Sequence, residues 1–374
     1  MEPVMHFPAA ITGIGLVSVL GATAGRTWDA LLAGRSISDH ARVAGFAGPD
    51  RAVPMAAAAA AEALAQAGWS QPDCGKSDSA LFVGTSKGSI ESWMQVKVPD
   101  LHHGDLHQGL SHIDCELSQK LRFGSGPRMT VSSACSSGLH ALLRAAMAIE
   151  LGEARRALIV AVEASVHPLF VSSFQRLGVL APEGHGCRPF DRTRKGFIIS
   201  EAAAAVCLES SIDAPARPLA RIERWAIGGD GTHLTGGDPA GKALRQMLRR
   251  VGCSNLDLIH AHATGTIVSD PVELAAIQSI AGERKGLPSA SQPILYSHKG
   301  ALGHSLGAAG LVSVAINCLC HLHGAVPPNV RSTQPLATEG LHFCSSAVQR
   351  PIHRSLAIAA GFGGPLAVVS LVSG

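Results

Sequence analysis

The chain has 374 residues, 46% of them apolar and only 16% charged, enough to bury a large core as one α/β unit or two merged domains. A formal net charge of +3 with scattered arginines excludes a nucleic-acid-binding stripe. Nine cysteines at irregular spacings argue for reduced thiols in a cytoplasmic protein and against a disulfide framework.

The start, Met-Glu-Pro-Val-Met-His-Phe, lacks the basic region of a signal peptide, and no run after the first apolar segment is expected to be long enough to span a bilayer. No membrane or nucleic-acid partner is expected. Residues 10–21 read as a buried strand ending in a glycine turn, and 26–34 as a short helix closed by glycine. Gly13-x-Gly15 lacks the third glycine of a dinucleotide fingerprint, so that reading is rejected. An alanine-rich helix follows over 55–68, with Pro54 at its start, and then a strand into a glycine turn over 80–88.

His102-His-Gly-Asp-Leu-His107, with His112, Asp114 and Cys115 nearby, supplies metal-ligand types without metal-ligand spacing, and Gly104 breaks any helix that would align them. A solvated loop and no metal are expected. Likewise Cys318-Leu-Cys-His321 lies within an apolar helical pattern, where neighbours two apart do not share a face, and reads as core.

The chain is organised around Met129-Thr-Val-Ser-Ser-Ala-Cys135-Ser-Ser-Gly138, a β-prone run turning tightly into an amphipathic helix. Cys135 sits at the corner. A sulfur there faces the free N–H groups of the first helical turn, which favour thiolate over thiol and make a nucleophile. Taken alone, such a cysteine reads as a small buried residue on a strand-to-helix crossover. Its company downstream changes that.

Residues 155–163 form an apolar strand long enough to be covered on both faces, 170–188 a helix leading into a mobile surface loop, and 203–208 the next strand. A proline-bearing stretch over 212–218 marks the boundary between an N-terminal half, 1–215, and a C-terminal half, 216–374. The second half echoes the first. A strand into a Thr/Gly turn over 256–266 matches that at 80–88, and the strand, turn and helix over 294–310 match the Cys135 element. Two closing strands, 356–361 and 367–372, flank Phe362-Gly-Gly.

The motifs Ser133-Ala-Cys135-Ser-Ser-Gly, His262-Ala-Thr-Gly-Thr266 with Asp270 and Glu273 following, Lys299-x-x-x-Gly303-His304 with Gly307-Ala-Ala-Gly310, and Gly361-Phe-Gly-Gly364 resemble, in order, those of the β-ketoacyl-acyl-carrier-protein synthases of the decarboxylating, two-histidine kind. Thr12-Gly-x-Gly and Pro189-Phe-Asp-x-x-Arg-x-Gly-Phe197 match as well. The likeness runs nearly end to end. It implies a thiolase fold, an α/β architecture of two similar halves in five α-β-α-β-α layers, usually a homodimer, with a heterodimer as the alternative.

The resemblance also implies roles. Cys135 would carry an acyl group as a thioester, and His262 and His304 would donate to the enolate left when a malonyl thioester loses carbon dioxide. The backbone N–H groups of Cys135 and Phe362 would hold the thioester oxyanion, and Lys299 would tune the cluster, paired with Glu273 because an unpaired buried ammonium is costly. Thr264 and Thr266 would bond the pantetheine arm, Phe362 would gate access with Gly361 and Gly363 giving it freedom, and Asp270, Glu273 and Glu201 would support. No cofactor is required, and the partner is an acyl carrier protein bearing phosphopantetheine-bound acyl and malonyl groups.

Departures stand at Ser200-Glu-Ala-Ala-Ala204, where many relatives carry Gly-Glu-Gly-Ala-Gly, at Pro365-Leu, where they carry Thr-Asn, and across 87–128, which reads as trimmed. They point to a specialised elongating enzyme of a secondary pathway, such as a polyketide or polyene, rather than the housekeeping fatty-acid enzyme, within the fatty-acid or polyketide/polyene synthesis that the resemblance implies. The competing readings are a non-elongating chain-length-factor subunit, against which Cys135, His262, Lys299 and His304 stand together, and a non-decarboxylating thiolase, for which a second C-terminal cysteine is missing.

Overall fold

Strand β1 (Ala9–Ser18) is buried along its whole length, and its two glycines explain how. A Cβ on Gly13 would lie 2.2 Å from the Ala63 carbonyl oxygen, and one on Gly15 1.9 Å from that of Ala59. The bare backbone lets the alanine-rich helix α2 (Ala52–Ala67) rest directly on the strand. The Gly-x-Gly pair is thus a packing device. It is not a phosphate cradle.

The computed structural model describes residues 9–374 except 49, 95–108, 216, 234, 253–254, 282–285 and 287. Between β1 and α2 lies α1 (Ala24–Leu32). After α2 come α3 (Gln71–Cys74), β2 (Ser79–Gly84), α4 (Ile90–Trp93), α5 (His112–Leu121), β3 (Arg128–Val131), α6 (Ser137–Glu150), β4 (Arg156–Glu163), α7 (Pro168–Arg176) and β5 (Ala202–Ser210). The second half holds β6 (Ala220–Gly229), α8 (Lys242–Val251), β7 (Leu258–His260), α9 (Ser269–Ala281), β8 (Ile294–Tyr296), α10 (Lys299–Leu302), α11 (Ala309–His323), β9 (Ala325–Val326), β10 (His342–Phe343), β11 (Val348–Gln349), β12 (Arg354–Ala360) and β13 (Pro365–Ser373).

Eleven of the strands described form one sheet in the order β10-β8-β7-β12-β13-β6-β1-β5-β4-β2-β3, and β9 and β11 form a separate antiparallel pair. The two ends of the large sheet mirror each other. In one half β2 pairs in parallel with β3 and β4, and β5 antiparallel with β4 and β1. In the other, β7 pairs in parallel with β8 and β12, and β13 antiparallel with β12 and β6. The halves join at a short seam where Ala10 and Ile11 pair with Arg221 and Ala220.

Helices α6 and α11 pack against each other between the two half-sheets, α2 and α5 cover one outer face, and α8 and α9 the other. This is the five-layered α-β-α-β-α arrangement of the thiolase-like fold. Gly138 of α6 makes the middle layer possible, because a Cβ there would sit 2.8 Å from that of Ala161 and 3.1 Å from the Gly307 carbonyl oxygen.

Two expectations need correction. The run Leu306–His323 is apolar enough, at a mean hydropathy of 1.5 over 18 residues, to cross a membrane by length and composition, but 83% of it is buried between the half-sheets. It is a core helix whose apolar surface is covered by β5, β12 and α6. Strand β4 is covered on both faces, as an all-parallel strand would be, yet it pairs antiparallel with β5. A third element, β6, was not announced by its sequence, since Arg221, Glu223 and Arg224 interrupt its apolar pattern.

Candidate active site

The crossover from β3 to α6 makes a strained corner. Ala134 takes φ +48°, an uncommon value for a residue with a Cβ. The neighbouring hydroxyls hold it there: the backbone N–H of Ser133 donates to Ser137 Oγ at 2.9 Å, while Ser136 Oγ donates to the Ser133 carbonyl at 2.7 Å and Ser137 Oγ to the Ala134 carbonyl at 2.6 Å. Cys135 at the tip is 8% exposed, set among Phe174, Phe197, Ile198, Leu306 and Phe362. The loop after β12 lies on the corner. A Cβ on Gly361 would be 2.9 Å from the Ser133 carbonyl oxygen, and the Phe362 backbone N–H pulls the Cys135 thiol down, against the larger effect of burial.

Burial pushes the Cys135 thiol up to about 11, against the pull of Lys87 and Lys299 and with a further push from Glu163. Burial thus works against the helix-stabilised thiolate expected from the sequence. Helix α6 starts two residues later, at Ser137, and desolvation outweighs its N-terminus. Cys135 rests as a thiol.

His262 follows β7 and is fastened by its backbone. Its N–H and that of Ala263 each donate to the Glu273 carboxylate of α9 at 2.7 Å, and its carbonyl accepts from Lys299 Nζ. The anticipated Lys299–Glu273 ion pair is absent among the described residues. The carboxylate is taken up by two peptide N–H groups and the ammonium by the peptide oxygen between them, so the two charges grip one residue from opposite sides. Burial raises the Glu273 carboxyl and lowers the Lys299 ammonium.

His304 follows α10 and Gly303, whose φ of +72° turns the chain. Its N–H donates to the Ile198 carbonyl at 2.8 Å and its carbonyl accepts from Ser200 N–H at 3.1 Å. The His262 and His304 rings meet edge to face with centroids 5.4 Å apart, and Phe197 lies edge-on to His304 at 5.1 Å. Burial, then the Lys299 charge, lowers both imidazoles well below the ordinary histidine range, so both are neutral. A neutral imidazole offers one N–H donor. Two side by side can receive a developing oxyanion without titrating at neutral pH.

Thr264 and Thr266 lead outward, their hydroxyls 3.2 Å apart, to Ile267 and Val268, which are 64% and 68% exposed. Asp270 braces this exit by accepting from the N–H groups of Phe190 at 2.8 Å and Gly265 at 3.0 Å, and burial raises its carboxyl to about 6. In the gate loop Gly363 takes φ +82° with open space around it, whereas a Cβ on Gly364 would strike the Asp230 carbonyl oxygen at 1.8 Å. Pro365 opens β13, a position where its missing N–H is tolerated.

Glu201 stands apart from this cluster. It accepts from Val43 N–H at 2.9 Å and pairs with buried Arg51, whose Nε lies 3.0 Å from Glu91. The residues His102–His107 lie outside the described residues, and His112 is placed 3.1 Å from Asp50.

Sequence reasoning missed several neighbours. Glu163, ending β4, is fully buried and accepts from the Ser86 N–H and the Ser165 hydroxyl. A carboxylate closing an apolar strand was its available signal. His260 bonds Asn317 Oδ1 through Nδ1 and His298 Nδ1 through Nε2, both at 2.8 Å, which ties the turn before Lys299 to α11.

Residues 47–214 match the β-ketoacyl synthase N-terminal domain and residues 219–333 its C-terminal domain. The 3-oxoacyl-[acyl-carrier-protein] synthase 2 of Mycobacterium bovis is 36% identical over 217 residues, covering 54% of this chain. The chain thus spans about half the length of the mycobacterial relatives it matches, 50% of theirs. The ketoacyl synthase alpha subunit of the tetracenomycin polyketide synthase of Streptomyces glaucescens is 28% identical, covering 95% of this chain and 94% of that one. Among solved structures, the ishigamide ketosynthase/chain length factor superposes with a TM-score of 0.83 at 25% identity, covering 98% and 99% of the two chains. The ketosynthase from module 6 of the bacillaene synthase of Bacillus subtilis 168 gives a TM-score of 0.87 at 20% identity over 98% of this chain and 72% of that one, a likeness of fold. With both domains matched in order on a thiolase-like fold, this chain belongs to the β-ketoacyl synthase family.

Proposed function

We propose that the chain is a catalytic β-ketoacyl-acyl-carrier-protein synthase, an acyltransferase of fatty-acid or polyketide synthesis. The observation that carries this is the meeting of three motifs at one place: a thiol under the Phe362 loop, two neutral imidazoles ring to ring, and a buried lysine gripping one of their backbones.

In the first half-reaction Cys135 sulfur attacks an acyl thioester, the bond from carbonyl carbon to the carrier's sulfur breaks, and the thiol proton leaves with the carrier thiol. In the second, a malonyl thioester loses carbon dioxide, and its enolate oxygen takes hydrogen bonds from His262 and His304. The enolate carbon attacks the Cys135 thioester, the carbon–sulfur bond breaks, and the sulfur recovers a proton. The product is a β-ketoacyl chain two carbons longer, left on the carrier. Phe362 acts as the gate, ring against Phe174 at 6.1 Å, and Thr264 and Thr266 guide the pantetheine arm.

The partner is an acyl carrier protein. Exposed Arg192 and Lys195 near the Thr266 exit fit an acidic docking surface, alongside exposed Ile267 and Val268. A second synthase-like chain would pair along edge strand β3, where Arg128 and Met129 are exposed. The test is intact-protein mass after incubation with acyl-carrier thioesters, then malonyl-carrier addition. An adduct on wild type, lost in Cys135→Ala and released as a chain extended by two carbons, is expected. Failure to form an adduct with any carrier substrate would move the chain to the role of a non-elongating chain-length-factor subunit.

A further inference from the structure

Lys87 follows β2 at the strand end that faces the Cys135 corner, and its surroundings are unusual for a lysine. Its Nζ stands over the ring of Phe170, 5.2 Å from the centroid. Phe170 in turn packs on the apolar cluster that holds Cys135, Phe174 and Phe197. Among the described residues no carboxylate forms an ion pair with Lys87, although Glu163 is bonded to the adjacent Ser86 N–H. The Lys87 charge pulls the Cys135 thiol down, against burial. The structure turns Lys87 inward.

A half-buried ammonium held, among the described residues, by an aromatic face has donors to spare, and a saturated alkyl chain lying beside it would strip water from those donors and return nothing. An acyl chain with a carbonyl oxygen near the thioester would accept one of them. Sites built to hydrogen-bond a substrate oxygen discriminate strongly against the analogue lacking it, because the protein group is left unpaired.

We infer that Lys87 is a specificity-determining residue of the acylation site, selecting acyl chains that carry a hydrogen-bond-accepting oxygen close to the thioester, the keto-acyl class, over saturated chains of the same length. This rests on the synthase reading above. The bonds made and broken are those of the first half-reaction, and Lys87 keeps its proton throughout, donating a hydrogen bond to the substrate's distal carbonyl.

The experiment compares the rates at which acetoacetyl-carrier and butyryl-carrier acylate Cys135, read by intact mass, in wild type, Lys87→Met and Lys87→Arg. The two chains have equal carbon counts, so their ratio cancels effects of folding, carrier docking and thiol reactivity. Wild type should favour acetoacetyl by roughly tenfold or more. Lys87→Met should bring the ratio near one, and Lys87→Arg, which keeps the charge and the donors, should retain most of the preference. An unchanged ratio in Lys87→Met, or no preference in wild type, overturns the inference while leaving the synthase reading intact. Absence of any adduct on Cys135 from either thioester overturns the synthase reading itself, and this inference with it.

Discussion

Lys299 donates its ammonium to the backbone carbonyl of His262, the same residue whose N–H is held by the carboxylate of Glu273. The ionic groups therefore position an imidazole through its peptide, leaving the ring free to face substrate. Lys299→Met should loosen that grip while preserving volume. Decarboxylation of malonyl-carrier, followed as carbon dioxide release, is expected to fall by about 10²-fold, the scale of a misplaced catalytic group. Acylation of Cys135 should fall much less, and equal losses in both half-reactions would refute a role exerted through His262.

The Cys135 thiol, raised to about 11 by burial, ionises little at neutral pH. The thiolate is the reactive form, so alkylation by iodoacetamide should climb about tenfold per pH unit from pH 7 to pH 10 with no plateau. A plateau reached near pH 7 would show a thiolate already formed, as first anticipated from the helix N-terminus.

His262 and His304 are held well below the ordinary histidine range by burial and the nearby Lys299 charge. A base with a lowered value is already unprotonated above it, so neither ring gains a proton between pH 8 and pH 6. The ring-proton NMR shifts of His262 and His304 are expected to stay level across that window, a reading that ionisation of the neighbouring Glu273 and Lys299, both moved toward neutrality by burial, does not mask as it would mask a rate. A change centred near the unperturbed value of about 6.5 would mean that one ring titrates as an exposed histidine does.

Glu201 belongs to the Arg51 network and not to the Cys135 cluster. Glu201→Gln keeps an acceptor but removes the charge facing buried Arg51, and should lower stability by about 1–3 kcal/mol in denaturant unfolding. The acylation rate of Cys135 in the folded variant should match wild type. A selective loss of acylation at unchanged stability would return Glu201 to the chemistry.

The positions of Cys135, His262, Lys299 and His304 were legible because each lies in a short motif of small residues whose order along the chain resembles that of one family. The contacts among them were not. Whether Glu273 meets an ammonium or two peptide N–H groups depends on how α9 lies across β7, a tertiary relation with no local signal. Burial decided the state of the Cys135 thiol for the same reason: the helix N-terminus can be read from local sequence, whereas the aromatic cover of Phe174, Phe197 and Phe362 comes from three distant segments. Strand β6 went unread because its arginines and glutamate lie at partly buried positions, where Glu223 pairs with Arg354, and so they mimic a surface segment.

The sandwiching of α6 between two half-sheets also has a meaning for the chain as it leaves the ribosome. Its covering partner α11 begins roughly 160 residues after α6 ends. At synthesis rates of 5–20 residues per second, the apolar inner face of the nascent N-terminal half stays uncovered for about ten to thirty seconds. During that interval the cysteine-bearing half is a natural client for a chaperone that shields hydrophobic surface, and codon-level slowing between β5 and α11 would lengthen its exposure.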